Sequence, residues 1–255
     1  MLKSKKFTRI FCLVMLFLNF VTIAEATSLP SVSINVDGAT SPLEVTSSIQ
    51  ILLIISVLTL APSLIVITTS FTRFVVVFYF LRAALGTQST PPNQVLVGLA
   101  LFMTLFLMMP IFSRIKTDAW DPYKSGVITE EVAFQKATDP LKEFMLNQVY
   151  EDDLSLFMNM SGTEPVEDVM LVPLQVVIPA FIIGELKKGF MIGFLIYIPF
   201  IVIDMVVASV LMAMGMMMLP PASISLPFKI LLFILVDGWH LVCEGLVTSF
   251  RMISS

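Results

Sequence analysis

The chain has 255 residues, of which 57% are hydrophobic and only 13% are charged. A soluble domain carries about 25% charged residues, so the composition indicates an integral membrane protein. The formal net charge of -4 comes with no basic patch, which excludes nucleic acid as a partner.

Residues 1–26 have the pattern of a cleaved secretory signal peptide. Four cations precede a short apolar run: Lys3, Lys5, Lys6 and Arg9. The run is too short for a comfortable membrane span and leads to Ala24-Glu25-Ala26, a small-x-small cleavage sequence. A retained N-terminal anchor is the alternative. Cleavage would remove Cys12 and leave Cys243 as the only thiol, which excludes an intrachain disulfide or thiol-ligated zinc in the mature monomer.

Residues 27–48 are predicted to form an extended polar leader, and residues 49–112 a hydrophobic helical hairpin. The first apolar segment of this hairpin is long enough to span about 30 Å of hydrocarbon. It contains Pro62, which predicts a kink. The second apolar segment is predicted to end at Pro110.

Residues 113–171 are the only hydrophilic block of any size. Asp139, followed by Pro140 at the first helical position, is predicted to cap a short helix. An apolar stripe follows: Leu141, Phe144, Met145 and Val149. Thr129 is predicted to cap another short helix. The block therefore reads as two or three amphipathic helices on the extracytoplasmic side, and not as a catalytic domain.

Residues 172–255 are predicted to form the C-terminal hydrophobic hairpins with a methionine-rich loop. The stretch 171–184 is apolar but short and proline-containing, which favours a re-entrant or buried segment. Three charged residues then interrupt it: Glu185, Lys187 and Lys188. Residues 189–219 form an apolar run too long for one span, and a turn at Pro220-Pro221 leads to the last apolar segment.

The distribution of charge predicts an orientation in the membrane. Residues 71–93 are read as a loop that carries Arg73 and Arg82 and no acidic residue, whereas residues 114–188 are predominantly acidic. By the positive-inside rule the first region is cytoplasmic and the second extracytoplasmic. Hydropathy then predicts four spans, with both ends of the mature chain outside.

Three ionisable residues lie where lipid is expected, and a charge at that depth costs at least about 2.5 kcal/mol. Asp204 and Asp237 are each about sixteen residues from the Pro220-Pro221 turn, but Lys229 is only eight or nine residues from it. Asp204 and Lys229 should therefore not meet within one straight hairpin. They could meet between staggered copies, which predicts a helical or ring-like oligomer. The alternative is that Lys229 snorkels to the membrane interface.

The intramembrane aspartates raise two other functions. An aspartyl intramembrane protease would place Asp204 beside Asp237, but its GxGD signature is missing. An ion-coupled transporter that uses Asp204, Asp237 and Glu244 is the better alternative; His240 is read as a packing residue more than as a proton relay. The sequence has no phosphate-binding loop, HExxH motif or Cys/His cluster, so no enzymatic activity and no cofactor or metal are expected.

Two long stretches resemble a known family. They are "LAPSLIVITTSFTRFVVVFYFLRAALGTQSTPPNQVLVGLALFMT" and "ELKKGFMIGFLIYIPFIVIDMVVASVLMAMGMMMLPPASISLPFKILLFILVDGWHL". Both are similar to the signatures of the FliP family of flagellar type III export-gate proteins, and the resemblance covers about residues 49–250.

The resemblance implies a fold, a location and a set of partners. About five FliP-like copies assemble with FliQ and FliR into a conical helical assembly around a pore. Its helices form bent hairpins. FlhB and FlhA attach on the cytoplasmic side, and unfolded flagellar subunits pass through the pore. The expected location is the bacterial inner membrane, at the flagellar basal body.

The resemblance also implies roles for particular residues. Asp204 and Lys229 match a pair that joins subunits, and Glu185 matches a residue associated with ring assembly. Met216, Met217 and Met218 match methionines that close the pore. Methionine suits this role because it is apolar and flexible and repacks around varied cargo, and an apolar constriction can close by dewetting. The alternative is that these methionines fill a helix–helix core, a role assigned here to Met212 and Met214.

The sequence therefore predicts an all-α integral membrane protein that forms the core of a protein-conducting export gate and has no catalytic chemistry of its own. The alternative is an ion-coupled membrane transporter.

Overall fold

The structure is a computed structural model that describes residues 52, 54–56, 59–60, 63–87, 89–164, 166, 168–216 and 218–251. The predicted signal peptide, the polar leader and Pro62 lie outside the described residues. Residues from Leu60 onward form one compact unit. All regular structure in the described ranges is helical, without a strand, which confirms the predicted all-α class.

Eight α-helices are labelled here in chain order. They are α1 (Phe71–Leu85), α2 (Asn93–Ile115), α3 (Asp121–Lys124), α4 (Glu130–Leu146), α5 (Glu151–Ser161), α6 (Leu174–Ala213), α7 (Pro221–Leu235) and α8 (Gly238–Arg251). A π-helical turn, Lys116–Trp120, joins α2 to α3, and a 3-10 turn, Val169–Leu171, precedes α6.

The prediction that residues 71–93 form a loop is wrong. Fifteen of these residues form helix α1, which lies in the centre of the unit. Its side chains Phe74, Val77 and Phe78 are completely buried. Helix α6 approaches this helix closely: a Cβ atom added at Gly193 would lie 2.6 Å from the ring of Phe80. Glycine is therefore required at this crossing by space, because the Phe80 side chain lies directly against the backbone of α6.

Helix α6 runs without interruption for 40 residues, so the predicted short segment ending at a charged cluster is wrong. Pro179 and Pro199 lie inside the helix. The charges do not break it because Glu185 and Lys188 find partners on neighbouring elements. A buried charge is tolerated when it is paired and hydrogen-bonded, and Lys187, the third charge of the cluster, lies on the exposed side of the helix.

Helix α2 also continues past its predicted end, since Pro110 lies within it. Together with the π-helical turn and α3 it forms a helical stretch of 32 residues. In the described ranges two stretches, Asn93–Lys124 and Leu174–Ala213, are long and apolar enough to cross a membrane. The pair α7 and α8, bent by 63°, would be a third if it forms one broken span.

The hydrophilic block contains two amphipathic helices, α4 and α5. Thr129 occupies the N-cap position of α4, as predicted, but its side chain makes no capping hydrogen bond. Asp139 does not start a separate helix, because α4 continues through Pro140 to Leu146. The stripe residues Phe144 and Met145 pack against α6 in a cluster with Phe181. This packing holds the block against the end of α6 that also carries Glu185.

Candidate functional site

The first buried ion pair joins α1 to α6. Arg73 donates from Nε to Oε2 of Glu185 at 2.9 Å and from Nη2 to Oε1 of the same carboxylate. Both side chains are completely buried. The guanidinium also donates to Gln148 Oε1 and to Ser249 Oγ, each at 3.0 Å. The ring of Phe250 lies 3.5 Å from the guanidinium carbon. Four hydrogen bonds and one aromatic ring face therefore hold the cation within the chain.

A buried charge is tolerated only with a well-placed counter-charge and further hydrogen bonds, and the Arg73–Glu185 pair has both. The bidentate geometry is the form in which arginine binds a carboxylate best. Sequence reasoning missed Arg73, which was assigned to a cytoplasmic loop. Arg73 lies within an apolar run, as Asp204 does, and this pattern could have identified Arg73 as a buried charge. Since Arg73 is buried, it no longer supports the predicted orientation.

The second ion pair joins α6 to α7. Lys229 Nζ lies 2.6 Å from Asp204 Oδ2, and Ser225 Oγ donates to the other carboxylate oxygen at 2.5 Å. Lys229 Nζ also donates to the carbonyl oxygen of Ala84 at 3.3 Å. This carbonyl belongs to the last turn of α1, where a cation interacts favourably with the helix dipole. Lys229 therefore ties three helices together.

This intrachain pair corrects the expectation that Asp204 and Lys229 cannot meet within one hairpin. Asp204 lies nine residues before the end of α6 at Ala213, and Lys229 lies eight residues after Pro221, where α7 begins. The residues between the two helices add no height, so the two side chains are at matching depth. Lys229 is buried, and it does not snorkel. A role of the pair between subunits stays a prediction.

The predicted gate residues lie on the link between α6 and α7, residues 214–220, called here the methionine loop. Gly215 ends α6 with a φ of 74°. Its N–H donates to Met212 O and the N–H of Met216 donates to Leu211 O, both at 3.0 Å. This pair of hydrogen bonds closes a helix around a left-handed residue, which glycine adopts without steric cost. The chain therefore leaves the helix in a defined direction.

The two described methionines of the predicted gate differ in exposure. Met218 is 98% exposed and Met216 is 40% exposed, while Met217 lies outside the described residues. Met212 and Met214 are also exposed, so the packing role expected for them is not fulfilled within the chain. Beside the loop, α6 and α7 enclose an open apolar groove of about 500 Å³ between Val206, Val210 and Phe228. This end of the hairpin is apolar and uncovered.

The other ionisable residues do not form a second centre in the described part of the chain. Asp237 is exposed and occupies the bend between α7 and α8, with a φ of 51°. His240 Nε2 and Glu244 Oε2 lie 3.7 Å apart on the exposed surface of α8. The Asp204 carboxylate is bound by Lys229 and Ser225, and not by Asp237.

Comparison with known proteins gives a family. The model of the FliP family matches residues 54–246. The chain belongs to the FliP family. It is 52% identical to the flagellar biosynthetic protein FliP of Bacillus subtilis (strain 168) over 217 residues, which are 85% of this chain and 98% of that protein.

Other relatives agree. The flagellar biosynthetic protein FliP of Pectobacterium carotovorum subsp. carotovorum is 49% identical over 205 residues, which are 80% of each chain. The protein of the same name from Caulobacter vibrioides is 49% identical over 229 residues, 90% of this chain and 86% of that protein. The family match includes both ion pairs and the methionine loop. The resemblance inferred from the sequence is thereby confirmed.

Proposed function

We propose that the chain is a pore-forming subunit of the flagellar type III protein export gate, through which unfolded flagellar subunits cross the bacterial inner membrane. Membership of the FliP family supports a role in flagellar biosynthesis and export. The observation that carries the pore-forming role is the methionine loop, in which Met218 is almost completely exposed at the end of an apolar hairpin. Together with the adjacent apolar groove it forms a contiguous exposed apolar surface, which is typical of a site that contacts another chain or lipid.

The properties of the loop fit a seal that must also open. Unbranched thioether side chains have several rotamers, so they close against each other and repack around any residue that passes. A ring of them would exclude water and ions by dewetting. Such a seal matters because each unit charge that leaks across the membrane dissipates about 2.3 kcal/mol per 100 mV. Met216, Met217 and Met218 of several copies would together form this ring.

The outer faces of the helices support assembly in a membrane. Large apolar side chains are exposed along α2 and α6: Phe102, Phe106, Phe194, Leu195 and Met205. A surface of this size must be covered by lipid or by other chains. In this proposal the covering partners are further copies of the chain, about five in all, together with FliQ, FliR, FlhB and lipid, and FlhA attaches on the cytoplasmic side.

The charged residues act on assembly in two ways. The Asp204 side chain is 34% exposed, so a neighbouring subunit can reach its carboxylate while the pair with Lys229 is kept. Glu185 has no exposed surface. It therefore acts on the ring through Arg73, by holding α1 against α6 in the shape that assembles.

The ion-coupled transporter gains no support from these contacts. A coupling carboxylate must bind and release its ion, whereas Asp204 is held by a lysine and a hydroxyl group. Asp237, its proposed companion, is placed at the bend beyond α7.

Crosslinking during export tests the proposal. A photoreactive amino acid would replace Met218 in the assembled complex, and an export substrate would be stalled during transport. We expect crosslinks between position 218 and the substrate. The matched control is the same replacement at Met109, an exposed methionine on α2, which should crosslink to neighbouring subunits or lipid only. If substrate crosslinks at position 109 but not at 218, the methionine loop does not line the path.

A further inference from the structure

One buried amide contacts three other parts of the fold. Gln148 lies in the corner between α4 and α5 and is buried. Its Oε1 accepts from Arg73 Nη2 at 3.0 Å, and its Nε2 donates to the carbonyl oxygen of Phe250 at 3.3 Å. Its own carbonyl oxygen accepts from Lys188 Nζ. Gln148 therefore touches α1, α8 and α6 at once.

The chemistry of the partners explains why an amide is needed. A guanidinium can only donate hydrogen bonds and a backbone carbonyl can only accept them, so the residue between them must offer one acceptor and one donor. These partners also fix which amide atom is oxygen and which is nitrogen. An ionised glutamate at this position would keep the contact with Arg73 but could not donate to Phe250. A methionine of similar length would make neither contact.

The contacts of Gln148 converge on the buried ion pair. The α4–α5 corner reaches Arg73 through Gln148. The end of α8 contacts Arg73 directly through Ser249 and the ring of Phe250. It also contacts Arg73 indirectly, because the Phe250 carbonyl accepts a hydrogen bond from Gln148. Apolar packing also holds these parts, since Phe144 of α4 lies against Phe250, but such packing does not fix a register as a hydrogen bond does.

We propose that Gln148 is a positioning residue that fixes the α4–α5 corner and the C-terminal end of α8 onto the Arg73–Glu185 pair. The two ends of its amide group have separate roles. The Oε1 acceptor holds the α4–α5 corner to Arg73, and the Nε2 donor holds α8 through the Phe250 carbonyl. The hydrophilic block and the last helix are thereby set in place relative to α6, the helix that leads to the methionine loop. This role does not depend on whether the loop seals a pore.

Two variants separate the halves. Gln148→Met removes both side-chain contacts, whereas Gln148→Glu in its ionised form keeps the acceptor for Arg73, removes the donor and adds a negative charge beside Glu185. In each variant the carbonyl contact with Lys188 is kept, because it belongs to the backbone. The matched control is Gln135→Met, an exposed glutamine on α4. Each full chain would be placed in lipid nanodiscs, and the exchange of backbone amide hydrogens would be followed by mass spectrometry.

The expected pattern is selective. For Gln148→Met, exchange should rise about tenfold or more in α5 and in the second half of α8, as expected when hydrogen bonds to a buried charge and a buried carbonyl are lost. For Gln148→Glu the rise should be confined to α8. Peptides from α1 and α6, and all peptides of Gln135→Met, should be unchanged.

Three results would overturn the proposal. Unchanged exchange in Gln148→Met would mean that apolar packing alone positions both elements. A uniform rise that includes α1 and α6 would mean that Gln148 stabilises the whole unit without positioning a part of it. If Gln148→Met does not accumulate, Gln148→Glu decides: a rise in α8 alone supports the proposal, and a rise in both elements or in neither contradicts it.

Discussion

Replacement of Arg73 by methionine tests the buried ion pair most severely. Methionine matches most of the length of the side chain but leaves the buried Glu185 carboxylate with only Lys188, whose Nζ lies 4.0 Å from Oε1, as a counter-charge. Removing one partner of a buried pair costs about 3–5 kcal/mol, and the hydrogen bonds to Gln148 and Ser249 are lost as well. Because a folded domain is stable by only about 5–15 kcal/mol, most of the stability of the unit should disappear.

The measurement is the free energy of unfolding of the full chain in detergent micelles, by denaturant titration. The matched control is Arg114→Met, which breaks the pair between Arg114 and Glu143. That pair is 54% and 47% exposed, so its loss should cost less than about 1 kcal/mol. The double variant Arg73→Met/Glu185→Leu removes both charges and should recover part of the loss, because apolar side chains of similar volume often replace a buried pair well.

Two results would refute this reasoning. A cost for Arg73→Met no greater than that of the exposed control would mean that Glu185 reaches water or another partner. A double variant less stable than the single one would mean that the carboxylate is not left unpaired when Arg73 is absent.

Three further predictions concern the helix contacts. Lys229→Met leaves Asp204 without its cation and should reduce recovery of the assembled complex on native gels. The exchanged pair Asp204→Lys/Lys229→Asp should restore part of this recovery. An intact complex in every variant would contradict a role of the pair in assembly. Gly193→Ala places a methyl group against an aromatic ring on α1 and should cost about 1–3 kcal/mol of unfolding free energy, whereas Gly98→Ala, in open space on α2, should be neutral or slightly stabilising. Gly215→Ala puts a side chain at a φ of 74°, which costs about 1–2 kcal/mol, and should lower export measured by secreted flagellar subunits; unchanged export would show that the turn tolerates redirection.

The sequence predicted those features that depend on local pattern. The helical class, the start of α4 after Thr129 and the turn at Pro220-Pro221 follow from apolar runs, from residue types that favour helix starts and from proline, and these signals act over a few residues. The sequence also identified Asp204 and Lys229 as charges in an apolar region that must be compensated, but it placed their contact between copies and not within one chain. What it misjudged was their relative depth, because the end of α6 could not be placed.

The first ion pair could not be predicted in the same way. Arg73 and Glu185 are 112 residues apart, and no local pattern shows that two charges so distant meet. Without this pairing, Arg73 reads as a loop cation and the cluster at Glu185 as a break in α6. The role of Gln148 is equally hidden, because a single glutamine after an amphipathic helix has no distinguishing pattern.

The central claim is that the methionine loop seals a pore, and ion leak measures this most directly. Met216, Met217 and Met218 would be replaced together by alanine in the assembled complex. Ion leak across membranes that carry this variant complex would be measured, and recovery of the complex would be measured in the same preparation. The control replaces Met109, Met191 and Met205, which are exposed elsewhere. We predict higher leak for the loop variant only, with the complex intact. An intact complex without added leak would contradict the claim and place the seal elsewhere, and loss of the complex would identify these methionines as packing residues.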